Sequence, residues 1–200
     1  MYKVGYEQDK KRTYPMTFRL PETMVSDLKS EADHEKVSLN TLVNQVFDKH
    51  VAWDRYSSKL GLIPMTRAFI KETIEYLPDQ KIKEIANNAG KEALKELVLI
   101  ASGIFTLNSF VSVFNEWLRA SLMTHRYEHD ASGHHHYFIH HDLGDKWSLY
   151  LSELLRAISR DLGSYSPSIR VFEGGIAFSL RSKSAKRPKE AIRDSEAAFY

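Results

Sequence analysis

This 200-residue chain predicts an α+β protein in two parts, on the strength of three observations. A short strand with alternating apolar and polar residues opens it, with two amphipathic helices behind. Longer helical stripes then run to about Leu118. Two pairs of extended segments close the larger part, one on each side of a further helix and each pair centred on glycine.

In the first strand, Met16, Phe18 and Leu20 alternate with Pro15, Thr17 and Arg19. A period of two sends the apolar set to one face and the polar set to the other. Pro21 ends the strand, because proline offers no amide to a ladder and fixes φ near a helix start. Met24, Val25, Leu28 and Ala32 then form one helical stripe, and Asp33-His34-Glu35-Lys36 is the polar turn. Leu39, Leu42, Val43, Val46 and Phe47 recur at helical spacing, with Ser38 or Asn40 as the N-cap. This helix is expected to continue through 52–56 and to break at Gly61-Leu62-Ile63-Pro64. A strand and two helices of this size cannot bury a core alone, whereas two copies can. The paired strands of such a dimer form a ribbon that fits the major groove of B-DNA.

Residues 16–47 resemble the ribbon-helix-helix family of bacterial, archaeal and phage repressors, the Arc/MetJ/CopG superfamily. The resemblance implies an intertwined β-α-α dimer over 13–55 that both dimerises and binds double-stranded DNA. It places Pro15, Thr17 and Arg19 against base edges, and a phosphate at the amides from Ser38 to Asn40, where a helix N-terminus favours an anion. Pro15 can touch a thymine methyl but has no hydrogen to donate, so Thr17 and Arg19 carry the specificity. Arg19 can pair bidentately with guanine. The inter-helix turn holds Glu35-Lys36, where many members have glycine.

The net charge is only +2, but its distribution is uneven. Lys3, Lys10, Lys11, Arg12 and Arg19 outnumber Glu7 and Asp9 in the first twenty residues. Lys10, Lys11 and Arg12, in a basic arm over 1–12, are expected to contact phosphate and to steepen the salt dependence of binding. The basic tail over 182–200 is expected to be disordered. With no cysteine, the chain has no disulfide, thiolate zinc site or cysteine nucleophile. No apolar run reaches membrane-spanning length and no secretory signal is visible, so the expectation is a cytoplasmic protein without a membrane partner.

A second domain over 64–181 is expected in the order ααα-ββ-α-ββ. Phe69, Ile70, Ile74 and Leu77 form its first stripe, and Pro78 opens the next element. Ile82, Ile85, Ala86, Ala89, Ala93, Leu97 and Ala101 form a long second stripe ending at Gly103. Thr106 or Asn108 caps a third helix that buries Phe110, Val111, Phe114, Trp117 and Leu118. Segments 124–130 and 134–141 read as a hairpin about Ala131-Ser132-Gly133. Asp142 and Asp145 resemble a capping box. Trp147, Tyr150, Leu151, Leu154, Ile158 and Leu162 form the fourth helix, stopped by Gly163. Segments 168–173 and 176–181 form a second hairpin around Gly174-Gly175. The product is a small antiparallel sheet with helices on at least one face.

Seven histidines fall between 125 and 141. If Ala131 lies opposite His134, then His129 faces His136 and His125 faces His140, all on one face with Tyr127 and Phe138. Cross-strand neighbours are close enough to share an ion. His125, His129, His136 and His140 are then candidate ligands for nickel, zinc or copper. Imidazoles on a half-solvated sheet edge are the plainer reading. The chain shows no nucleophile elbow, phosphate loop or paired carboxylate motif, so an enzyme is not expected.

Together these features predict a sequence-specific transcription regulator, in the sense of a repressor. It would work as a homodimer or higher homo-oligomer with a regulatory or oligomerising second domain. The alternatives are an antitoxin-like module whose larger domain binds a protein partner, and a metal-responsive regulator that uses the histidine-rich hairpin.

Overall fold

The two N-terminal stripes become helices α1, Glu22–Glu35, and α2, Leu39–Lys49. The computed structural model describes residues 13–57, 59–163 and 167–181. The basic arm with Lys10, Lys11 and Arg12, and the tail over 182–200, lie outside the described residues. The chain divides into two compact units, Met1–Asp48 and Lys49–Tyr200.

In the first unit, α1 starts after Pro21 and ends on Lys36, which takes the left-handed conformation (φ 57°, ψ 38°). The Val37 amide donates to the Ala32 carbonyl at 2.9 Å and the Lys36 amide to that of Asp33 at 3.2 Å. This is the Schellman closure, with lysine at the position glycine most often fills. Ser38 caps α2, its hydroxyl accepting from the Thr41 amide at 3.0 Å. Among the described residues of this unit, Ala32 and Leu42 alone are buried. Residues 13–20 form no strand within one chain, and Met16, Phe18, Leu20, Val46 and Phe47 all stay exposed. The Phe18 and Phe47 rings lie 5.6 Å apart, so the apolar side of the extended segment is turned to the apolar side of α2.

The second unit begins with a π-helical turn at His50–Asp54 that leads into α3, Arg55–Ser57. Thr66 caps α4, Arg67–Glu75, by accepting from the Phe69 amide. The long second stripe forms α5, Asp79–Ile85, and α6, Lys91–Ser102, joined by a second π turn at Ala86–Gly90. A π turn adds a residue to the helical repeat, so the buried face shifts. Ile82, Ala86 and Leu97 are buried as expected, but Ala89 and Ala93 are exposed, and Leu94 and Val98 are buried instead. At Gly90 a β-carbon would lie 2.5 Å from the Tyr150 hydroxyl. Helix α7, Leu107–Ala120, has the expected Thr106 cap, reciprocated by Ser109 as a capping box.

The sheet contains β1, Thr124–His129, β2, His134–His140, β3, Ser168–Phe172, and β4, Gly175–Arg181, in the order β1-β2-β4-β3, antiparallel throughout. Helix α8, Asp145–Asp161, separates the two hairpins in sequence. One sheet face carries Tyr137, Ile139, Ile176, Phe178 and Leu180 into a core shared with α6, α7 and α8. Phe114 of α7 meets Tyr137 and Phe178 edge-on, and those two rings stack at 4.7 Å. Each fully buried large side chain contributes about 1.5–3 kcal/mol relative to exposure. The α+β class and the small antiparallel sheet are as the sequence predicts. At Gly175 a β-carbon would lie 2.2 Å from the Ile139 carbonyl oxygen, so the strand crossing there admits only glycine.

The predicted capping box at the start of α8 does not form. Gly144 precedes the helix with φ 83° and no side chain caps it. Asp142 has φ 57° and pairs with the His140 imidazole at 2.9 Å. The turn needs a positive φ at both Asp142 and Gly144, which aims the Asp142 carboxylate at the strand and away from the helix amides.

Candidate functional site

In the N-terminal unit Pro15, Thr17 and Arg19 are all exposed, as are Ser38 and Asn40. The Ser38 cap satisfies the Thr41 amide, and the Asn40 carbonyl accepts from the Asn44 side chain at 2.8 Å. The first turn of α2 holds no acidic residue. A helix start of this composition suits an anion, since its unpaired N–H groups and dipole are both positive.

The histidine hairpin differs from expectation in its register. Thr124 pairs with His140, His125 with Ile139, Glu128 with His136 and His129 with His135. The loop is the three residues Ala131-Ser132-Gly133, with Gly133 at φ 77° and its amide donating to the Asp130 carbonyl. A three-residue loop closed by a left-handed glycine is a favoured hairpin, and it shifts the pairing by one residue. Such a shift moves side chains to opposite faces. His125 and His129 therefore share the inner face with His135, Tyr127 and Tyr137, while His136 and His140 lie on the outer face with Phe138. The four predicted ligands do not converge.

The structure instead brings together Asp130, His134 and His136, whose ligand atoms lie within 4.8 Å of one another, a cluster able to hold a metal ion. Asp130 Oδ1 accepts from the Ser132 and His134 amides at 2.8 and 2.9 Å. Its Oδ2 meets His134 Nδ1 and His136 Nε2, each at 3.1 Å. The His134 amide first, and the His136 imidazole next, hold the Asp130 carboxyl far below the usual carboxylate range. His136 Nδ1 is in turn 2.8 Å from Ser179 Oγ on β4. A His-x-His spacing on a strand, with an aspartate just before the turn, was the sequence signal for this cluster.

The other imidazoles are engaged differently. His135 Nδ1 meets the Tyr127 hydroxyl at 2.8 Å and its ring stacks on His129 at 4.5 Å. Burial, then the neighbouring His129, pushes its pKa down. His141 is wholly buried: its Nδ1 accepts from the Leu143 amide and its Nε2 lies 3.0 Å from Ser148 Oγ. Burial pushes it down to about 4. With Nδ1 accepting, Nε2 carries the hydrogen and donates to Ser148, which fixes the neutral tautomer.

Comparison with family models, with curated proteins and with solved structures finds no match for this chain. Its own residues therefore carry the functional reading. Among the described residues, no single helix is long and apolar enough to cross a membrane. The second unit also holds an open cleft of about 530 Å³, whose lining includes Trp53, Ile63, Trp117, Leu122 and Trp147. Arg67 borders it but is committed to the backbone, donating to the carbonyls of Ser121, Leu122 and His141.

Proposed function

We propose that the chain is a sequence-specific DNA-binding transcription regulator of the ribbon-helix-helix type, acting as a dimer in the cytoplasm. One observation carries this reading: the first unit buries only Ala32 and Leu42 among its described residues, while Met16, Phe18 and Leu20 remain exposed beside Phe47. A second copy supplies both the missing core and the missing ladder partner. Pairing two such segments puts Thr17 and Arg19 on the ribbon's outer face, where a major groove would receive them. The Ser38-capped start of α2 takes a flanking phosphate, with Asn40 beside it, and Lys10, Lys11 and Arg12 add further phosphate contacts.

The test is anisotropy of a fluorescent duplex spanning the protein's own promoter, at two salt concentrations. Arg19→Ala is expected to weaken a cognate site by about 1–3 kcal/mol and to relax its sequence preference. Affinity and preference indifferent to Arg19 would remove it from the reading face.

A second reading is an antitoxin-like module whose larger unit holds a protein partner. The outer sheet face favours it, since Phe138 is exposed there and its ring stacks on Phe172 at 4.4 Å. A stoichiometric complex of known composition, formed through this face and lost in Phe138→Asp, would support it over the free-standing regulator.

A further inference from the structure

The Asp130, His134 and His136 cluster has the build of a cation site rather than of a solvated strand edge. Asp130 and His136 each have one side-chain atom spent on holding them in place and another left for the centre. Asp130 Oδ1 is occupied by the Ser132 and His134 amides, which leaves Oδ2 facing the two rings. His136 is held through Nδ1 by Ser179, which leaves Nε2. His134 is anchored through its own backbone amide and presents Nδ1. A partner on the far nitrogen of a ligating imidazole fixes both the tautomer and the ring orientation, and it is the usual outer shell of a metal-binding histidine.

The spacing agrees. Ligands about 2.0–2.1 Å from a tetrahedral ion stand about 3.3 Å from one another. The two nitrogen-to-oxygen separations here are 3.1 Å, and all three atoms fall within 4.8 Å. The side chains are a quarter to two-fifths exposed, so water can complete the coordination. Two imidazoles and one carboxylate form a borderline donor set, which favours divalent first-row ions over calcium or magnesium.

We propose that Asp130 Oδ2, His134 Nδ1 and His136 Nε2 bind one divalent transition-metal ion per chain, of the zinc and nickel class. The site lies entirely within one hairpin and one strand of the second unit, and it does not depend on the first unit binding DNA. Binding replaces the two imidazole–carboxylate contacts with three bonds to the ion. His136 then donates its Nδ1 hydrogen to Ser179.

The test is calorimetric titration of zinc and of nickel into the untagged, metal-stripped full chain at neutral pH, with cobalt absorption as a report on geometry. One ion per chain is expected. Asp130→Asn keeps an oxygen for the two loop amides while removing the charge, and His136→Gln removes the second nitrogen. Each should weaken binding tenfold or more with an unchanged circular dichroism spectrum. Ser179→Ala should weaken it less, at the same stoichiometry. His129→Ala and His140→Ala should leave it unchanged. No binding of either metal, or binding insensitive to Asp130→Asn and His136→Gln, would overturn the proposal. So would binding lost in His129→Ala or His140→Ala instead.

Discussion

His141 shows how one buried side chain ties the stability of the larger unit to pH. It is neutral in the fold, accepting from Leu143 and donating to Ser148, with its pKa pushed down to about 4. An unfolded histidine titrates near 6.5. Between those values the unfolded chain takes up a proton that the folded chain refuses, so stability falls as pH falls. The contribution is complete above about pH 6.5 and is lost progressively toward pH 4. Denaturant midpoints should drop between pH 7 and pH 5 by the equivalent of about 2 kcal/mol. His141→Asn, which keeps an acceptor for the Leu143 amide but cannot titrate, should remove most of that difference. A midpoint equally pH-sensitive in the variant would place the effect elsewhere. Sequence alone put His141 in an undifferentiated run of imidazoles; only the turn through Asp142 and Gly144 sends it inward.

At the scale of elements, helices were legible and pairing was not. Apolar stripes located α1, α2, α4, α7 and α8, because burial on one helix face leaves a period that needs no partner to read. The stripe over α5 and α6 drifted by one residue at the π turn Ala86–Gly90, an insertion that periodicity does not announce. The hairpin slipped for a comparable reason: Asp130 Oδ1, by accepting from Ser132 and His134, selects a three-residue loop over a two-residue one. That single residue dispersed the predicted histidine set and assembled a different one around Asp130. The turn between α1 and α2 yields an element-scale prediction. Lys36 holds a left-handed conformation that costs a non-glycine residue about 1–2 kcal/mol. Lys36→Gly removes that strain but adds freedom to the unfolded chain, worth about 0.4–1 kcal/mol. The expected net is a stabilisation of about 0.5–1 kcal/mol, read from urea midpoints monitored by helical circular dichroism; a lower midpoint would mean that the lysine side chain stabilises the turn by packing.

For the whole molecule, the central claim is that the first unit is half of a fold. The second unit closes a core of its own around Phe110, Phe114, Ile139 and Ile158. The first leaves its apolar segment uncovered, and the strand predicted over it needs a ladder that one chain cannot provide. The alternation over residues 15–20 is legible in the sequence, yet the structure forms no strand there, and under the proposed reading a second copy would supply its ladder. The most direct measurement is sedimentation equilibrium of the full chain at micromolar concentration, beside Phe18→Asp. The predicted result is a two-chain mass or an even multiple of it, reduced in Phe18→Asp because a charge on the apolar strand face cannot be buried between copies. A single-chain mass for the unaltered protein, or an assembly that Phe18→Asp leaves intact, would contradict it.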